Sequence, residues 1–227
     1  MKATKLSNHL LQLTFLGFCN CYLLRETDGF TVIDTSIGGC AEKILGAARD
    51  FDGEIRRILL THAHGDHIGS LDALHQRLGA VDIAISERDA PLLHKDLTLR
   101  AGEPKGKLKG SYPGAKSRPT HTLTDGELYG SLRCISTPGH TPGHMSFLDE
   151  RDGTLFSGDA LMSIGGLHTV SDPPWYFPLP RLATWDLPLA RTSARRLLNF
   201  RPTGIATGHG SFVPDGTAEL ERALDAE

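Results

Sequence analysis

Apolar and polar positions alternate along residues 9–34 and predict three strands, near 9–15, 19–25 and 30–34. The period then lengthens. Ile44, Leu45, Ala48 and Phe51 recur at helical spacing and predict a helix near 39–50. The same plan follows again: a strand at 55–61, then Ile68, Leu71, Leu74 and Leu78 marking one face of a helix from about 67 to 78. A strand near 81–85 and a helix near 86–94 close this half. The second half predicts strands near 128–136, 144–149 and 153–157, a helix near 184–199, a strand near 204–207 and a last helix near 216–225. Strands clustered with intervening helices predict a layered α/β architecture. The 227 residues fit one domain, 1–227. No fixed-period repeat or low-complexity tract interrupts it.

The chemistry concentrates where the strand at 55–61 ends. Thr61-His62-Ala63-His64-Gly65-Asp66-His67 sets three imidazoles and a carboxylate within six positions, more metal-binding capacity than a fold needs there. His62 and His64 alternate along extended chain and point the same way, while Gly65 lets the backbone turn before Asp66 and His67. Such a turn divides the ligands between two neighbouring metals. Neutral imidazole and carboxylate suit zinc, with iron or manganese as substitutes. Three further candidates lie downstream on turns that follow strand-like runs. They are His140 in Thr137-Pro138-Gly139-His140-Thr141-Pro142-Gly143-His144, Asp159 after Ser157-Gly158, and His209 between Gly208 and Gly210. Taken singly, Asp66 also reads as a helix cap and His209 as a partner of a backbone carbonyl. His144 reads either as a residue that supports a ligand from behind or as the start of the strand Met145–Leu148, the second being preferred.

In this order the residues resemble the metallo-beta-lactamase superfamily, whose pattern is His-x-His-x-Asp-His, then His, then Asp, then His. The resemblance runs from Phe30-Thr31-Val32-Ile33-Asp34 to His209. It implies a four-layer αββα sandwich with two divalent metal ions at one edge. One metal would take His62, His64 and His140, the other Asp66, His67 and His209, with Asp159 bridging; Asp66 and Asp159 are the carboxylates expected to take part in catalysis. It also implies that Asp34 orients a liganding imidazole, although a turn residue after a strand explains it equally well. A hydroxide between the two metals would serve as nucleophile, one metal polarising the substrate carbonyl and the other holding the leaving oxygen or sulfur. The implied activity is hydrolysis of a small ester, thioester or lactone; a mononuclear iron persulfide dioxygenase of the same fold is the alternative. No Gly-x-Ser-x-Gly elbow surrounds Ser157, so a serine nucleophile is not expected.

Departures from known branches narrow the choice. Beta-lactamases generally lack an aspartate where this chain has Asp159. Glyoxalase II shares the ligands and the Thr-Pro-Gly-His loop, but the 18 residues after His209 are too few for its helical glutathione-binding domain. Quorum-quenching lactonases place a tyrosine where Met162 stands, with Tyr176 as a candidate substitute. The 49 residues between Asp159 and His209 leave no room for the large insert of RNA-processing relatives. Flavodiiron proteins carry glutamate in place of His64.

Composition changes this picture little. A hydrophobic share of 39% with 22% charged residues is ordinary for a globular chain. Net charge of −3 and a pI near 6.4 give no support for nucleic-acid or membrane binding. The apolar run 10–24 is broken by Gln12, Thr14 and Asn20 and reads as paired strands, not a signal peptide. Cys19, Cys21, Cys40 and Cys134 lack zinc-finger spacing and read as free thiols, which suggests a reducing cytoplasm. Two long irregular segments remain. Residues 95–118 carry seven cationic side chains against Asp96 and Glu103, either a solvated loop or an attraction for an anionic small-molecule substrate. Residues 162–181 contain Pro173-Pro174-Trp175-Tyr176-Phe177-Pro178, too many adjacent rings for all to turn inward, so one is expected to wall the substrate pocket or pack in the core.

Overall fold

The alternating N-terminal run does pair with itself. In the computed structural model, which describes residues 1–226, β1 (Lys2–Lys5), β2 (Leu10–Phe15), β3 (Cys19–Glu26) and β4 (Gly29–Ile33) form an antiparallel meander. After helix α1 (Ala41–Asp50) the direction of pairing changes. Strand β5 (Ile55–Leu59) lies parallel to β4, then, past helices α2 (Gly65–Ile68) and α3 (Leu71–Leu78), β6 (Asp82–Ser86) and β7 (His121–Leu123) continue the parallel side. The seven strands stand in sequence order and belong to one compact unit, Met1–Lys95 with Tyr112–Leu123. Its interior holds Leu23, Val32, Ile58 and Ile83 from the sheet and Ile44, Leu71 and Leu74 from the helices, each fully buried. Truncating such a side chain to alanine costs about 2–5 kcal/mol.

The second unit comprises Asp96–Ser111 and the chain from Thr124 onward. It contains β8 (Leu128–Tyr129), β9 (Leu132–Ser136), β10 (Met145–Asp149), β11 (Thr154–Gly158), the short pair β12 (Leu161–Met162) and β13 (His168–Thr169), β14 (Gly204–Thr207) and β15 (Val213–Pro214). Its six-stranded sheet runs β15-β14-β11-β10-β9-β8, with β11 and β14 parallel. Helices α4 (Leu179–Ala183), α5 (Leu187–Leu197) and α6 (Gly216–Asp225) complete the unit. Ala194 and Leu197 of α5 and Leu220 of α6 pack with Ile135, Leu155 and Ile205 of the sheet.

Several elements depart from the sequence reading. The helix expected over 67–78 is broken at Ser70, whose backbone leaves helical geometry at φ −102°, ψ 6° and whose hydroxyl donates to Ile37 O and accepts from Cys40 N. The helix expected near 86–94 is a set of turns with one 3-10 turn, Leu92–His94, because Pro91 lacks the N–H that would continue a ladder. The helix expected from 184 starts at Leu187, capped by Asp186, whose carboxylate accepts from Leu189 N at 2.8 Å. The strand expected over 128–136 is a hairpin turned at Gly130-Ser131. The strands β1, β7, β12, β13 and β15 were not expected; they are two to four residues long, too short to show a period. No helix among the described residues is long and apolar enough to cross a membrane.

Candidate metal centre

In the first unit the chemistry sits at the carboxyl ends of parallel strands, where open α/β sheets usually bind ligands. Asp34 follows β4, the His-rich turn follows β5, and Asp89 follows β6. Asp34 is buried and adopts a left-handed backbone, φ 58°, a conformation that aspartate tolerates better than most residues. Its Oδ1 accepts from Thr61 N at 2.8 Å, and its Oδ2 accepts from Thr61 Oγ1 at 2.8 Å and His67 Nδ1 at 2.7 Å. These bonds fix tautomers. His67 gives its Nδ1 proton to the carboxylate and keeps its lone pair on Nε2. Thr61 spends its hydroxyl proton on Asp34, so its oxygen accepts from His62 Nδ1 at 2.9 Å, and His62 likewise keeps the Nε2 lone pair. That Nε2 stands 3.1 Å from His64 Nδ1. The Asp66 carboxylate, partly exposed, lies 3.9 Å from His67 Nε2. Behind the turn, Asp89 Oδ2 accepts from Ala63 N at 3.2 Å, holding the backbone between the two alternating histidines.

In the second unit the three candidates come from three strand ends. His140 follows β9 on a loop that Gly139, at φ 133°, brings so close to helix α5 that a side chain there would meet Ala190 N at 2.2 Å. Its Nδ1 donates to Thr184 Oγ1 at 2.9 Å, whose own proton goes to Pro180 O at 2.7 Å, so the lone pair is again on Nε2. Asp159 follows β11 and His209 follows β14, the two parallel strands. Asp159 Oδ2 stands 3.4 Å from His140 Nε2 and 3.2 Å from His209 Nε2, one carboxylate oxygen facing two imidazoles. The His209 turn requires Gly210, at φ 114°, where a side chain would meet the Ser163 backbone at 2.4 Å.

His144 is separated from the ligand set by the same reasoning. Its Nδ1 donates to Thr137 Oγ1 at 2.8 Å, and its Nε2 accepts from the Asp159 amide at 3.0 Å. The ring therefore spends its lone pair on backbone and fixes where Asp159 begins, a supporting role that goes beyond the preferred reading of His144 as the start of a strand.

The donors fit divalent metals. They are buried imidazoles, those of His62, His67 and His140 in defined tautomers, with carboxylates beside them, the chemistry that zinc, iron and manganese accept. Two donors on one tetrahedral zinc lie roughly 3.3 Å apart, given bonds of about 2.0–2.1 Å. The 3.1, 3.2 and 3.4 Å separations within the two units match that spacing.

Sequence reasoning missed two residues around these groups, Asp89 and Tyr112. Tyr112, in the Gly-rich basic segment, lays its ring against His64, with centroids 4.7 Å apart and planes at 65°. Burial, and after it the Asp89 carboxylate, push its phenol well above the usual range, so it stays protonated. Phe177 is the ring of the aromatic segment nearest a candidate ligand, 6.1 Å from His209, whereas Trp175 and Tyr176 are exposed. Neither Asp89 nor Tyr112 carries a local signal that ties it to these groups. The four cysteines are free and buried as expected, and burial raises the Cys21 thiol and pushes Cys134 up to about 12, which leaves both unreactive.

Known proteins place this arrangement in context. YobT of Bacillus subtilis, an uncharacterized protein, is 44% identical over 217 residues, covering 94% of this chain and 93% of its own. The hydroxyacylglutathione hydrolase GloC of Haemophilus influenzae is 27% identical over 202 residues, covering 87% of this chain and 88% of its own. Among solved structures, TTHA1623 in a di-iron-bound form aligns with a TM-score of 0.66 at 28% identity, covering 91% of this chain and 94% of that one. The sequence profile of the metallo-beta-lactamase superfamily matches residues 14–209, from the second strand through the last candidate ligand, and the chain belongs to that superfamily.

Proposed function

We propose that the chain is a dinuclear metal-dependent hydrolase of a small ester, thioester or lactone. His62, His64 and His140 would hold one ion, Asp66, His67 and His209 the other, and Asp159 would serve both. The observation that carries it is the Asp159 carboxylate, whose single oxygen faces the Nε2 atoms of both His140 and His209. An anion so placed offsets the repulsion between two cations. Family membership and the order of the seven residues support the same assignment.

Bound divalent cations supply a hydroxide at neutral pH and polarise an acyl oxygen, so no side-chain base is needed. The chain's own residues do the positioning. Asp34 and Thr61 hold His67 and His62 in the tautomers that leave Nε2 available. Thr184 does so for His140, and His144 fixes the start of Asp159. Among acyl substrates a thioester is supported by the similarity to GloC, named a hydroxyacylglutathione hydrolase. Zinc is the metal we favour; the di-iron form of TTHA1623 keeps iron open. Four free thiols fit a reducing cytoplasm.

The test is turnover of a panel of thioesters, lactones and esters by the zinc-loaded and the iron-loaded chain. Hydrolysis that disappears with a chelator and returns with metal is expected. Oxygen consumption with a persulfide and no hydrolysis would replace this reading by the dioxygenase.

A further inference from the structure

We propose that the Tyr112 hydroxyl donates a hydrogen bond to the substrate oxygen that gains negative charge when the acyl carbon is attacked. The proposal rests on the hydrolase reading above and adds a catalytic residue to it.

Two observations carry it. The Tyr112 ring packs against His64, a candidate metal ligand, with ring centroids 4.7 Å apart and planes at 65°. That oxygen is buried and has no hydrogen-bond partner among the described residues. Native proteins leave few buried hydroxyls unmatched, and an exception next to reactive chemistry calls for an acceptor that the fold does not supply. A substrate acyl oxygen is such an acceptor. It is a weak one in the ground state and a strong one once it carries charge.

The segment is built to hold the ring still. Just past Tyr112, Gly114 turns the chain at φ 75°, where a side chain would meet Lys95 at 2.8 Å. Ala115 N donates to Leu93 O at 2.7 Å. The amides of Lys116 and Ser117 and the Ser117 hydroxyl all donate to the Asp72 carboxylate, between 2.7 and 3.0 Å. Burial alone would raise the Asp72 carboxyl, but those bonds overcome it and hold it below its usual range, so the clamp is ionised at neutral pH. A donor fixed in advance reorganises little when charge develops. The phenol keeps its proton throughout and forms no covalent bond.

The test is Tyr112→Phe, which removes one oxygen and keeps the ring against His64. We expect unchanged metal content and a melting temperature of the metal-free protein equal to or above the wild type, because a buried hydroxyl without an acceptor is removed. We expect kcat for a thioester or ester to fall about 100-fold with KM little changed, as for loss of a donor used mainly in the transition state. An unchanged kcat, or a loss confined to KM, overturns the proposal. If the wild type hydrolyses nothing on the panel, the hydrolase reading falls and takes this one with it. If the wild type is active and the Phe variant keeps pace, only the Tyr112 role falls.

Discussion

The two units present their metal-binding groups in opposite ways. In the first, four groups sit within six residues of one turn, and the residues that orient them are buried carboxylates, Asp34 and Asp89. In the second, His140, Asp159 and His209 are spread over 70 positions and are steadied by hydroxyls and a histidine, Thr184, Thr137 and His144. A contiguous set pays its ordering entropy once, in forming a single turn, whereas a dispersed set depends on strand ends already fixed by the sheet. The first unit supplies a charged cradle, which favours cations. The second supplies alignment. The contrast teaches that loss of one residue should matter most where a group belongs to both roles, and Asp159 is that group.

Asp159→Ala should give the largest effect, lowering turnover by orders of magnitude and reducing metal content, if its carboxylate is the anion that offsets repulsion between two cations. Metal analysis beside kcat/KM checks it; two ions and a near-normal rate would assign the bridge elsewhere. Asp34→Ala comes next. It frees Thr61 and His67 together, and a loss of about 10–100-fold in metal affinity is expected, the usual cost of removing a partner behind a ligand. Titration with a competing chelator reads this directly, and an unchanged affinity would show that the first unit's turn is set by backbone alone.

His144→Ala sharpens the second half. Deleting the acceptor of the Asp159 amide should weaken metal binding by about tenfold, the low end for such partners, while His140→Ala does far more. Equal losses would make His144 a ligand in its own right. The smallest effect concerns the basic segment. Replacing Lys105, Lys107 and Lys109 with Ser should raise KM for an anionic substrate at low salt and leave a neutral ester alone, since exposed charges act through a screened field. Identical salt responses in wild type and variant would remove any steering role from the segment.

The same contrast explains what could be read in advance. The His62–His67 turn stood out as a candidate because its residues are neighbours, and the three dispersed candidates stood out only through their order. Asp34 reaches His67 across 33 positions and Asp89 reaches Ala63 across 26, so no local pattern signals either bond. Tyr112 against His64 is of the same kind. Long alternating or helical runs such as β2, β3 and α1 were read close to their bounds. The break at Ser70 was hidden because Ile68, Leu71 and Leu74 keep helical spacing across it, while the bonds of the Ser70 hydroxyl to Ile37 and Cys40, 33 and 30 positions away, are tertiary.

The most direct measurement is titration of the metal-free chain with zinc, following bound metal by mass spectrometry and thioester hydrolysis in the same samples. If the donors of both units form one centre bridged by Asp159, two equivalents bind per chain, hydrolysis rises as the second binds, and Asp159→Ala abolishes that second step. A single equivalent, with full activity and no change in the Asp159 variant, would contradict it.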